Sequence, residues 1–178
     1  LGLKIKSFNG CSVDESFTSE IEKRLMLGNA IDKIEDSYEL ADVKKFHLDR
    51  IKSIFDIEFI ANELKKMNMR IFVDSMHGSA AKCISEIFGC NDSGVVSEIR
   101  KDADPLFGGK PPEPLLNYLD DLKETLIKNS KNEVKTLGII FDGDGDRIAA
   151  IDEKGRYCST QDLLPYFISY LGGINDNS

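Results

Sequence analysis

The sequence predicts an α/β protein with three layers, in which helices flank a mostly parallel, mixed β-sheet, preceded by a separate strand and helix. Two kinds of segment predict this class. Short apolar runs typical of buried strands alternate with longer segments whose apolar residues recur at helical spacing. This alternation is typical of right-handed crossover connections, which build parallel sheets.

Composition excludes several kinds of partner. The chain has 178 residues, 41% of them hydrophobic, which is enough for one main core. Its net charge of −8 argues against nucleic acid, and it lacks the run of about 18 apolar residues that a membrane span needs. The four cysteines show neither a close pair nor the density of a disulfide scaffold, so we expect reduced thiols in the cytoplasm. The oligomeric state stays open.

The first segment predicts one strand and one helix. Residues 1–7 alternate apolar and other side chains with a period of two, which favours a half-buried strand. A turn at Asn9 and Gly10 follows. Ser12 and Glu15 match the capping box that begins a helix, so we predict a helix over 13–27.

A connector and a long helix come next. Residues 28–45 are charged and weakly patterned, which is typical of a connector. From residue 46 to residue 66 the apolar side chains recur at helical spacing, which predicts one amphipathic helix. We interpret its methionine and aromatic residues as core packing.

A strand, a loop and a helix follow in the order expected of a parallel sheet. Residues 70–74 predict a strand, 80–88 a helix and 95–99 a second strand. The intervening loop should lie at the carboxyl edge of the sheet. In it we expect a structural role for His77 and helix capping by Ser79.

The remaining elements complete the pattern. Residues 102–112 predict a Pro- and Gly-rich loop containing a solvated Lys110, and Pro112 suits the first turn of a helix that runs to about residue 128. The last predicted elements are strands over 137–141, 148–151 and 156–158, the last two joined as a hairpin, and a helix over 161–171.

The most informative stretch is Phe-Asp-Gly-Asp-Gly-Asp-Arg at 141–147, at the end of a predicted strand. The two glycines tolerate tight coiling, which would bring Asp142, Asp144 and Asp146 together. Two such charges about 4 Å apart repel by about 4 kcal/mol at an effective dielectric constant near 20, which favours binding of a cation. Oxygen ligands favour Mg²⁺, followed by Ca²⁺ and Mn²⁺.

Two other interpretations of this loop stay open. Clusters of Asp and Gly also form solvated acidic turns. The three aspartates also occupy positions 1, 3 and 5 of an EF-hand calcium loop, with Glu153 at position 12. The EF-hand fits less well, because Arg147 stands where that loop needs glycine and because strands, not helices, are predicted on both sides.

The stretch at 141–147 resembles the metal-binding loop of the α-D-phosphohexomutases, the family that contains phosphoglucomutase and phosphomannomutase. Val-Asp-Ser-Met-His-Gly at 73–78 is similar to the opening of the family's second domain, and residues 104–114 are similar to its middle loop. The resemblance divides the chain into the end of domain 1, a connector, domain 2 and a tail, over residues 1–27, 28–45, 46–172 and 173–178.

The resemblance also implies a function. Asp142, Asp144 and Asp146 would hold one Mg²⁺ per chain, completed by a phosphoserine oxygen from domain 1. Arg147 would place a cation beside the transferring phosphoryl group, unless it is only a counter-charge to the aspartates. The implied reaction interconverts hexose 1-phosphate and hexose 6-phosphate through a bisphosphorylated sugar. A non-catalytic relative that keeps only the fold stays an alternative.

Two further expectations concern the branch and the extent of the chain. The Phe-x-x-x-x-Pro-Glu-Pro pattern at 107–114 is similar to the phosphoglucomutase/phosphomannomutase branch, rather than to the phosphoglucosamine mutases. The chain begins without methionine in a predicted strand, so we expect a fragment. The resemblance implies that it lacks the phosphoserine, sugar and distal phosphate loops, that it is inactive alone, and that the choice of hexose cannot be read from it.

Overall fold

The computed structural model describes residues 4–28, 40–89, 94–130 and 133–175. The chain divides into two compact units, Leu1–Ala41 and Asp42–Ser178. The first residues of the predicted N-terminal strand and most of the predicted connector lie outside the described residues. The domain boundaries stay a prediction.

The first unit contains helix α1, Glu15–Met26. The predicted capping box is wrong, because Asp14 caps the helix by accepting a hydrogen bond from the Ser16 amide at 2.8 Å. Within the described residues, the predicted strand is reduced to an isolated bridge between Lys6 and Ser12. The turn between them is confirmed, with Gly10 at a φ of +84°.

The second unit is built on a five-stranded sheet in the order β2-β1-β3-β4-β5. Strand β1 lies between β2 and β3 and pairs in parallel with both, and the sheet then continues with antiparallel pairing from β3 through β4 to β5. This confirms the mostly parallel, mixed sheet and the predicted hairpin. The strands are β1 Met69–Asp74, β2 Val96–Ile99, β3 Lys135–Phe141, β4 Ile148–Asp152 and β5 Tyr157–Cys158.

Helices cover both faces of this sheet, as predicted. Neighbouring residues of a strand point to opposite faces, and accordingly Phe72 and Ile71 belong to different cores. The cluster around Phe72 contains side chains of α5 (Asp120–Asn129), and the cluster around Ile71 contains side chains of α3 (Ile57–Lys66). The first core comprises Phe72, Met76, Leu119, Leu122, Leu126, Ile140, Ala149 and Ile151.

Gly138 of β3 lies close to Leu122 of α5 and to Ile151 of β4. A Cβ atom at this position would lie 2.8 Å from Leu122 Cδ2 and 2.9 Å from Ile151 Cγ2. We therefore expect Gly138→Ala to lower the free energy of unfolding by about 1–3 kcal/mol through overpacking, measured by urea denaturation. Gly172→Ala, which has open space around its Cβ, is the control. Equal stability of the two variants would contradict this prediction.

The predicted single helix over 46–66 is wrong. The structure has two helices, α2 Val43–Ile54 and α3, separated by Phe55 in an extended conformation. Asp56 begins the second helix by accepting a hydrogen bond from the Phe59 amide at 2.8 Å. A side-chain cap therefore interrupts an apolar pattern that continues across the break.

Two other helices begin later than predicted. Helix α4 spans only Cys83–Phe88, and Ser79 does not cap it. Instead, the Glu98 carboxylate accepts hydrogen bonds from the Lys82 and Ser85 amides at its start. Helix α5 begins at Asp120 rather than near Pro112, after a short 3-10 helix, Leu116–Tyr118.

The last helix, α6, spans Thr160–Asn175 and contains the predicted range. A turn at Gly155, whose amide donates to the Asp152 carbonyl, joins β4 and β5 as predicted. Among the described helices, none has the length and apolar character that a membrane crossing requires.

Candidate metal centre

The three predicted metal ligands converge in the loop between β3 and β4. One carboxylate oxygen from each of Asp142, Asp144 and Asp146 lies within 4.8 Å of the other two. Gly145 has a φ of +77°, which provides the tight coil expected of a glycine here. The structure therefore brings together the residues that the sequence singled out.

Arg147 contacts the first aspartate at two points. Its backbone amide donates to Asp142 Oδ1 at 3.0 Å, and its Nε donates to Oδ2 at 2.7 Å. The hydrogen bond from its side chain raises the pKa of Arg147 above its ordinary value, so the guanidinium stays charged. The predicted counter-charge contact thus exists, while a role for Arg147 in phosphoryl transfer stays a prediction.

The donor set fits a hard divalent cation. Asp142 is buried, with 1% of its surface exposed, whereas Asp144 and Asp146 are exposed. Both oxygens of Asp142 accept hydrogen bonds from Arg147, yet a carboxylate offers about four acceptor positions, so it can also bind a metal. A site with one buried and two exposed acids leaves positions open for other oxygen ligands of such a cation. Strands β3 and β4, not helices, flank the loop, unlike an EF-hand.

Two neighbouring loops pack against this centre. The Ser79 amide donates to the Gly143 carbonyl at 2.9 Å, and the Gly143 amide donates to the Pro112 carbonyl at 3.0 Å. Ser79 therefore contacts the loop over residues 142–147, which we call the metal loop, rather than a helix end. All three loops lie at one edge of the sheet, as their positions after β1, β2 and β3 predict.

The other candidate side chains belong to the supporting loops. His77 Nδ1 lies 2.7 Å from the Asp102 carbonyl oxygen, and the ring lies close to Gly108. These contacts support the structural role that we predicted for His77. The Lys110 ammonium is exposed and lies 3.9 Å from an Asp121 carboxylate oxygen, in agreement with a solvated lysine.

Sequence reasoning missed a buried ion pair at the ends of β1 and β2. Asp74, which ends β1, is 0% exposed and pairs with Arg100, which directly follows β2. Arg100 Nε donates to Asp74 Oδ1 at 2.8 Å, and its Nη2 donates to Oδ2. Opposite charges at the ends of two neighbouring strands are the signal that could have predicted it. The pair ties together two of the strand ends near the metal loop.

The fold and the cluster together define a three-layer α/β domain with three converging aspartates, a candidate cation site, at the end of its central strand. The family described as "Phosphoglucomutase/phosphomannomutase, alpha/beta/alpha domain II" matches residues 45–155. The chain therefore belongs to the phosphoglucomutase/phosphomannomutase family. This confirms the resemblance found in the sequence.

Several curated relatives are similar to part of this chain. Phosphoglucomutase-1 of Homo sapiens is 32% identical over 71% of this chain and 22% of its own length. A protein named "Probable phosphoglucosamine mutase" of Methanothermobacter thermautotrophicus is 35% identical over 62% of this chain and 23% of its own length. The chain thus spans less than a quarter of these two relatives. Because their names represent both branches, the branch stays a prediction.

Solved structures show the same fold. A phosphoglucomutase/phosphomannomutase family protein from Burkholderia thailandensis superposes with a TM-score of 0.70 at 22% identity, covering 93% of this chain and 33% of the other. Parafusin, a phosphoglucomutase from Paramecium, gives a TM-score of 0.62 at 23% identity, covering 82% and 31%. These likenesses confirm the three-layer architecture.

Proposed function

We propose that this chain is the metal-binding domain of a phosphohexomutase, which interconverts hexose 1-phosphate and hexose 6-phosphate by Mg²⁺-dependent phosphoryl transfer through a phosphoserine. The observation that carries the proposal is the convergence of Asp142, Asp144 and Asp146 at the end of β3, in a chain that belongs to this family. A phosphohexomutase is an intramolecular phosphotransferase of the isomerase class. The reaction itself belongs to a longer cytoplasmic protein that contains this domain.

The three aspartates would hold one Mg²⁺ through carboxylate oxygens. A bound divalent cation stabilises the negative charge that phosphoryl transfer spreads over oxygen atoms. Buried Asp142 is held in place by two hydrogen bonds from Arg147, so it would orient the centre. Exposed Asp144 and Asp146 would leave the outer side of the site accessible to a phosphoserine oxygen from another domain.

Arg147 would donate hydrogen bonds both to Asp142 and to the phosphoryl group that is transferred. Its Nε donates to Asp142, and a guanidinium carries five N–H donors. Its side chain is 52% exposed, which favours access by a phosphoryl oxygen. Such charge-assisted hydrogen bonds position a phosphoryl group and stabilise its charge.

The substrate and its remaining contacts would come from the rest of the longer protein. We propose a hexose phosphate as the partner, with no nucleic acid and no membrane, in keeping with the net charge of −8. The isolated 178-residue chain would be inactive, because the phosphoserine and the loops that grip the sugar and its second phosphate would lie on other domains.

A coupled assay tests this proposal. We expect the longer protein, supplied with Mg²⁺ and either glucose 1-phosphate or mannose 1-phosphate, to form the corresponding 6-phosphate, and chelation of the metal to stop turnover. The isolated chain should show none. Absence of turnover by the well-folded longer protein with any hexose or hexosamine phosphate would contradict the proposed activity. Turnover by the isolated chain would contradict its proposed inactivity.

A further inference from the structure

The backbone of Gly143, between the first two metal-site aspartates, is hydrogen-bonded from two sides. Its carbonyl accepts from the Ser79 amide at 2.9 Å, and its amide donates to the Pro112 carbonyl at 3.0 Å. Because Gly143 is bonded to both Asp142 and Asp144, these contacts fix the backbone from which both carboxylates project. The position of the Gly143 backbone therefore helps to set the spacing of two of the three proposed ligands.

Gly78 lies directly against the Gly143 backbone. A Cβ atom on Gly78 would lie 2.5 Å from the Gly143 carbonyl oxygen and 2.9 Å from its Cα. Both contacts are with backbone, so no side-chain rotation relieves them. The φ of Gly78 lies outside the left-handed region that favours glycine. Glycine is required at position 78 because the Gly143 backbone leaves no room for a Cβ atom. The backbone conformation of Gly78 itself does not require glycine.

Hydrogen bonds hold the loop that carries Gly78 in place, so it cannot easily move away from Gly143. The Gly78 amide donates to the Ser75 carbonyl at 2.8 Å, and the His77 amide donates to the Arg100 carbonyl at 2.9 Å. One residue earlier, the Met76 amide donates to buried Asp74 at 3.0 Å. Since three successive amides anchor this loop near the sheet, a side chain at position 78 would displace the metal loop instead.

We infer that Gly78 is a positioning residue for the cation centre, an inference that rests on the proposed function of the three aspartates. Relieving the overlap requires the closest contact to lengthen from 2.5 Å to at least 3.0 Å. Displacements of about 0.5 Å are comparable to the tolerance of a metal or catalytic site. Changes to residues that orient metal ligands weaken affinity by about 10- to 100-fold.

The test is a titration of the 178-residue chain with Mn²⁺, followed by electron paramagnetic resonance, with Mg²⁺ as competitor. We expect Gly78→Ala to bind Mn²⁺ about 10- to 100-fold more weakly than the wild type. Gly172→Ala is the matched control, because its Cβ meets nothing within 4 Å, and it should bind like the wild type. Circular dichroism in the absence of metal checks that each variant is folded, since a merely structural role would change stability but not the affinity of the folded chain.

A second variant covers the case in which Gly78→Ala does not fold. In Gly143→Ala the new Cβ would lie 2.8 Å from Pro112 Cγ. This overlap should displace the Gly143 backbone away from Pro112 and weaken Mn²⁺ binding to a similar extent. If a folded Gly78→Ala or Gly143→Ala chain binds Mn²⁺ with wild-type affinity, the inference about Gly78 is overturned. The proposed metal site is tested separately by Asp144→Asn. Absence of Mn²⁺ binding by the wild type would overturn both the proposed metal site and the inference.

Discussion

Replacing Arg100 by methionine is expected to lower the free energy of unfolding by about 3 kcal/mol, because it leaves a buried carboxylate without its cation. Asp74 is 0% exposed, and Arg100 donates to both of its oxygens. Among the described residues, the Met76 amide is the donor that Asp74 would keep. Urea denaturation followed by tyrosine fluorescence measures the effect, since Tyr118 and Tyr157 pack against the main core of the second unit.

Lys66→Met provides the matched control for this prediction. It removes the cation of an exposed pair with Glu63, and we expect a change within about 0.5 kcal/mol. The double variant Asp74→Leu/Arg100→Met should recover part of the lost stability, because it removes the unpaired carboxylate as well. If Arg100→Met and Lys66→Met have the same free energy of unfolding, the buried Asp74–Arg100 pair does not stabilise the fold as we predict.

The metal loop and the sheet could be predicted because their signals are local. Strand β3 contains the apolar run 137–141, and the aspartates of the loop alternate with glycines directly after it. Neither feature depends on distant residues. The same holds for the turn at Gly155, which joins two short strands whose antiparallel pairing the structure confirms.

The helix boundaries depend on contacts that sequence periodicity does not contain. The predicted helix start at Pro112 fails because carbonyls there bond to distant segments, with the Pro112 carbonyl accepting from the Gly143 amide and the Pro114 carbonyl from the Tyr157 hydroxyl. Glu98, on a different element, caps α4 in place of the predicted Ser79. Hydrogen bonds between distant segments thus override local preference.

The supporting residues of the site were missed for the same reason. Asp74 and Arg100 are 26 positions apart, and each alone has the appearance of an ordinary charge beside a strand. Gly78 follows a histidine in a loop, where glycine usually supplies a turn, and only the structure shows that Gly143 leaves it no room. Their roles follow from the packing of loops at one sheet edge, which requires the topology.

Asp144→Asn is expected to weaken Mn²⁺ and Mg²⁺ binding by about 100-fold in the 178-residue chain. The change keeps the size of the side chain but removes one of three converging carboxylate charges. A unit charge pair about 4 Å apart contributes about 4 kcal/mol at an effective dielectric constant near 20. The exposure of Asp144 reduces this value, and 100-fold corresponds to about 2.7 kcal/mol. Titration with Mn²⁺ and competition by Mg²⁺ measure both affinities.

Glu153→Gln separates this centre from an EF-hand. Glu153 would be the ligand at position 12 of a calcium loop, but it lies in the turn between β4 and β5. We therefore expect Glu153→Gln to bind Mn²⁺ like the wild type, although it removes the same unit of charge as Asp144→Asn. If Glu153→Gln instead abolished a submicromolar affinity for Ca²⁺ in a chain indifferent to Mg²⁺, the loop would be a calcium site. In that case the mutase role proposed for Asp142, Asp144 and Asp146 would have to be abandoned.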